Sequence, residues 1–100
     1  YKRQQLKTYV PVHAGLRYLF HAKVRAEGAP DHLMIQIMQD GSPWTNEGLF
    51  IETDVAAGYE QTLETTFRAT ANDEFARLTF QFGAASTYLT IDKVWLEELP

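Results

Sequence analysis

An all-β fold, two antiparallel sheets packed as a β-sandwich of the jelly-roll type, is predicted by three features of the sequence. Apolar residues recur at every second position almost everywhere from Leu16 onward, the alternating runs are short, and Gly, Pro, Asn or Asp punctuate them. No stretch of helix length carries a 3.6-residue period. At 100 residues the chain holds enough apolar material for one core, so a single domain spanning 1–100 is expected.

Each strand can be read in turn. Near the start, Leu6, Thr8 and Val10 alternate with Gln5, Lys7 and Tyr9, and Pro11 and Gly15 frame a turn. Tyr18, Phe20, Ala22, Val24 and Ala26 then share one side of a strand, with Leu19, His21, Lys23 and Arg25 on the other. Turn chemistry at Gly28 to Asp31 leads into Leu33, Ile35 and Ile37, alternating with Met34, Gln36 and Met38. The segment from Gln39 to Gly48, QDGSPWTNEG, breaks the alternation and is predicted as a loop, although it carries Trp44. Leu49, Ile51 and Thr53 form a fourth strand, a turn follows at Ala56 to Tyr59, and Leu63, Thr65 and Phe67 form a fifth. After a polar turn at Ala71 to Glu74, the row Ala76, Leu78, Phe80 and Phe82 faces inward, which sends Arg77 and Gln81 to the opposite face. The last strand, from about Thr87 to Leu96, changes phase between Ile91 and Val94, as a β-bulge near Asp92 and Lys93 would require. Seven strands result.

Charge and composition narrow the function. The net charge is -4 and the basic residues are scattered, so no positive stripe matches a phosphate backbone and nucleic acid is not an expected partner. Without cysteine there is neither a disulfide framework nor a thiolate metal site. No apolar run approaches the ~20 residues of a membrane span, so no membrane partner is expected. His13, His21 and His32 have no metal-ligand spacing, and neither a G-x-S-x-G nor a phosphate loop is present. Pairs such as Glu52 with Glu64, or Glu97 with Glu98, fall on exposed positions rather than facing each other across a substrate, so no enzyme activity is expected.

Four blocks in order, VPVHAGLRYLFHAKVRA, QDGSPWTNEG, FRATANDEFARLTFQFG and YLTIDKVWL, together resemble the carbohydrate-binding modules of families 4, 9 and 22. These are galactose-binding-domain-like jelly rolls appended to xylanases, cellulases and related enzymes. Members usually begin with about forty further residues, which makes this chain either a pared-down relative or a segment of a longer multidomain polypeptide. The resemblance implies a secreted, non-catalytic module that holds plant-type polysaccharide, β-glucan, xylan or mannan, and is covalently linked to a glycoside hydrolase.

Such a site needs flat aromatic rings for the C–H faces of sugars and planar polar groups for their hydroxyls. By resemblance, the aromatic positions are Tyr1 and Trp44, and the polar positions are Arg77, Gln81 and one of Gln4 or Gln5. Alternation against Leu6 favours Gln5, whereas spacing from Tyr1 favours Gln4. A lid over the end of the sandwich is the competing role for Trp44, and a cross-strand surface pair for Arg77 and Gln81. Asp92 falls where the family's last strand supplies a ligand to a structural calcium ion; its other role is to cap the bulge through backbone amides. No further cofactor is implied. A second function, docking of a neighbouring domain, rests on the outward Leu19, Met34 and Met38.

Overall fold

The computed structural model describes residues 4–82 and 88–100. Seven strands run in order: β1 (Gln4–Val12), β2 (Arg17–Glu27), β3 (Asp31–Met38), β4 (Asn46–Val55), β5 (Gln61–Arg68), β6 (Asp73–Phe82) and β7 (Tyr88–Glu98). They form a four-stranded sheet in the order β1-β6-β3-β4 and a three-stranded sheet in the order β5-β2-β7, with every neighbouring pair antiparallel. Only β3 and β4 follow one another within a sheet; each other connection crosses to the facing sheet, which is the jelly-roll habit.

The two-residue period sets the core. Tyr18, Phe20, Ala22, Val24 and Ala26 of β2 are buried against Leu33, Ile35 and Ile37 of β3 and Ala76, Leu78 and Phe80 of β6. Phe20 and Phe80 meet across the two sheets with ring centroids 6.4 Å apart. Removing each such ring from water contributes up to about 3 kcal/mol, so these rows hold the layers together.

One long side of the sandwich is closed by backbone. Gly48 in β4 approaches the end of β5 so nearly that a Cβ there would stand 2.7 Å from the Arg68 carbonyl oxygen, and its φ of 135° also suits glycine. The Thr70 N–H donates to the Glu47 carbonyl at 3.1 Å beside it. The loop expected at Gln39 to Gly48 is shorter than that: Asn46 pairs with Met38 of β3, so Asn46, Glu47 and Gly48 belong to β4 and the connection is 39–45. Similarly, Asp73 and Glu74 already belong to β6 rather than to the preceding turn.

The bulge in β7 lies where the phase change placed it. Opposite β2, the register passes from His21 with Trp95 to Lys23 with Asp92, so two residues, Lys93 and Val94, face one. Lys93 adopts a left-handed φ of 50°, and its N–H donates to Asp92 Oδ1 at 2.7 Å. The last strand itself extends to Glu98, two residues beyond the expected end, because Glu97 and Glu98 still pair with Leu19 and Tyr18.

Candidate functional site

The outer face of the four-stranded sheet collects the polar positions. Its rows follow from the strand register: Tyr9, Arg77 and Met38 in one, Lys7, Thr79, Gln36 and Phe50 in the next, then Gln81, Met34 and Glu52. Arg77 and Gln81 thus lie on one face of β6, about 13 Å apart at strand rise. In the β1 register Gln5 stands opposite Gln81 and Gln4 opposite Phe82, so Gln5 shares the row of the outer-face glutamine and Gln4 that of an inward residue. Tyr1 lies outside the described residues.

Trp44 closes one end of this face. The Trp44 N–H donates to the Gly41 carbonyl at 2.7 Å, and the Gln39 N–H donates to the Thr45 carbonyl at 2.8 Å, so the loop folds back on itself. The indole is 49% exposed, which rules out a lid sealed into the interior. Instead the Arg77 guanidinium carbon lies 4.7 Å from the indole centroid, a cation–π contact.

Asp40 holds that guanidinium: Arg77 Nε and Nη2 both donate to Asp40 Oδ1, at 2.9 and 2.5 Å. Arg77 is largely covered, with a side chain 14% exposed, so the ion pair is better screened from water than an ordinary surface pair. Asp40, Arg77 and Trp44 therefore form one unit joining the loop to the central strand. Trp44 has a left-handed φ of 61°, uncommon for a bulky side chain, and this backbone costs about 1–3 kcal/mol that the loop contacts offset.

Residues whose simplest reading from the sequence is ordinary surface complete the face. Phe50 is 56% exposed in the row of Gln36 and Thr79, joining Trp44 and Tyr9 as exposed rings on the same surface. Gln36 takes part through Asn46, whose side-chain amide donates to Gln36 Oε1 at 3.3 Å. Thr79 is fully buried despite its outward parity, because its register neighbours Lys7 and Gln36 are longer, and its hydroxyl has no partner. At the far end His32 bridges Asp54 through Nδ1 at 2.8 Å and Glu52 through Nε2 at 3.1 Å. Asp54 first and Glu52 second raise its pKa above the ordinary histidine value.

Asp92 is exposed, and Oδ1 is engaged by the Lys93 amide. Among the described residues no group of three or more His, Cys, Asp or Glu is placed to hold a metal ion. Asp92 Oδ1 thus fills the bulge-cap role, the second of the two expected for it. No helix among the described residues is long and apolar enough to cross a membrane.

Solved structures share this architecture. One, described by the words "CBM4 structure and function", is 20% identical, covers 95% of this chain with 73% of its own length, and superposes with a TM-score of 0.83. Another is the N-terminal cellulose-binding domain from Cellulomonas fimi β-1,4-glucanase C, 20% identical, covering 91% of this chain and 65% of its own, with a TM-score of 0.73. Neither a family model nor a curated protein matches the sequence. The likeness shows the fold: this chain has the β-sandwich of CBM4-type modules.

Proposed function

We propose that the chain is a non-catalytic carbohydrate-binding module whose ligand lies along the outer face of the four-stranded sheet. The observation that carries this is the exposed Trp44 indole held over Arg77 on the same face as Gln81. An indole offers a flat apolar surface to a pyranose, while guanidinium and amide groups bond neighbouring hydroxyls in a plane. Tyr9 and Phe50 add further rings, and the half-buried Met34 and Met38 lie on this same face, where polarisable thioethers offer apolar contact to a sugar. Shared fold with a cellulose-binding domain supports a β-linked plant polysaccharide, β-glucan, xylan or mannan, as ligand. The proposal includes a secreted protein in which residues 1–100 form one domain, joined to a glycoside hydrolase, with Gln5 of β1 in the row of Gln81.

Affinity electrophoresis through hydroxyethylcellulose, xylan and mannan tests this. The protein should be retarded by at least one polymer, with little dependence on salt. Trp44→Ala or Arg77→Ala should weaken binding about tenfold or more, equivalent to ~1.4 kcal/mol. Migration unaffected by every polymer, or retardation indifferent to both substitutions, would overturn the proposal.

A further inference from the structure

From the geometry of the opposite sheet we infer a second sugar-stacking site, centred on Trp95 and the cleft between β1 and β7; it rests on the binding role proposed above. β1 and β7 are edge strands of different sheets on the side away from the Gly48 contact. Between them lies a cleft of about 570 Å³, bordered by Tyr9, His13, Tyr18, Val94, Trp95 and Glu98. That volume falls among those of small-ligand sites, roughly 300–1,000 Å³.

Trp95 is held as a platform. Its indole lies on the His21 imidazole with centroids 3.7 Å apart and planes 4° from parallel. His21 is only 7% exposed, whereas Trp95 is 46% exposed. One indole face is thus backed by the imidazole, and the accessible area belongs to the rest of the ring. His21 is anchored in turn by Glu64, whose Oε2 accepts from Nδ1 at 3.0 Å. This fixes the ring that supports the indole.

The same stack leaves His21 Nε2 buried with no partner. An aliphatic pair would seal this position without orphaning a polar atom. What the His–Trp stack provides instead is a rigid aromatic surface of fixed tilt.

Sugar is the occupant these surroundings favour. A docking protein would be expected to meet a broad apolar patch, but here the apolar lining is interspersed with Thr8, Tyr9, His13 and Glu98, while the buried Tyr18 hydroxyl accepts from the His13 N–H at 3.0 Å. Such alternation matches a pyranose, with its C–H faces and hydroxyl rim. The cleft is also contiguous with the first face: Tyr9 borders it and is the register partner of Arg77. A glycan lying over Arg77 therefore meets this cleft on passing the edge strand.

The chain has two tryptophans, one at each surface, so each can be made the sole indole. Trp44→Phe combined with Arg77→Ala weakens the first site and leaves Trp95 as reporter; Trp95→Phe leaves Trp44. Both variants are to be titrated with cellohexaose, xylohexaose and mannohexaose while following indole emission. A saturable change in Trp95 emission in the first variant is expected, with the sugar affinity at this surface reduced roughly tenfold by His21→Ala in that background. Unchanged Trp95 emission while Trp44 responds in the second variant would overturn the second site and leave the first intact. No response from either tryptophan would remove both. Amide NMR shifts at His21 and Glu64 supply an independent readout that a change confined to the first face would not move.

Discussion

Trp44 shows how one residue can be poorly placed for stability and well placed for contact. A left-handed backbone at a non-glycine costs about 1–3 kcal/mol, while the cation–π contact with Arg77 returns roughly 0.5–1 and the loop's own hydrogen bonds add to it. The two nearly offset each other. Trp44→Gly should therefore leave the urea unfolding midpoint within the equivalent of about 1 kcal/mol of the parent while polysaccharide binding is lost. A large loss of stability would mean that the indole is structural after all. Trp44 was legible in the sequence because a large ring on a polar loop is conspicuous. Asp40 was not, since its role depends on a fold-back that brings a loop carboxylate to the neighbouring strand. The His21–Trp95 stack escaped for a related reason: alternation put His21 on the outer face of β2, but only the register across the bulge sets Trp95 opposite it.

Strands were legible wherever two-residue alternation was unbroken, as in β2, β3 and β6, whose predicted inward rows are buried except for the half-buried Phe82, although the outward His21 and Thr79 are buried as well. Ends were less so. The start of β4 reads as loop because Asn46, Glu47 and Gly48 lack apolar alternation; they become strand because Asn46 pairs with Met38 of β3 across a register shift. In β7 the phase change was visible, and its energetics can be measured. Lys93→Gly should stabilise the protein by about 1 kcal/mol by relieving the left-handed conformation, and Asp92→Ala should destabilise it by a similar amount through loss of the amide cap. Chemical denaturation of the two variants checks both signs. If Lys93→Gly destabilises instead, the strand does not turn through this residue.

At the scale of the whole molecule, stability carries a pH dependence from the closed side of the sandwich. Glu47 is 6% exposed with Oε1 unpartnered, and burial first, then the nearby Asp73 carboxylate, push its pKa from 4.5 up to about 6. The native state thus holds this proton more tightly than the unfolded chain does. The associated stability is fully present below about pH 4.5 and is lost as pH rises through about 6, on the order of 1–2 kcal/mol. Glu47→Gln should flatten this part of the melting-temperature profile and raise the midpoint at pH 7. A profile between pH 4.5 and 6.5 identical to the parent's would exclude Glu47 as the source. Beside Glu47, the near-contact of Gly48 with Arg68 has a mechanical consequence for the sandwich. It should act as the spine of a book, with amide exchange slower at this margin than at the opposite one, where β1 and β7 stand apart.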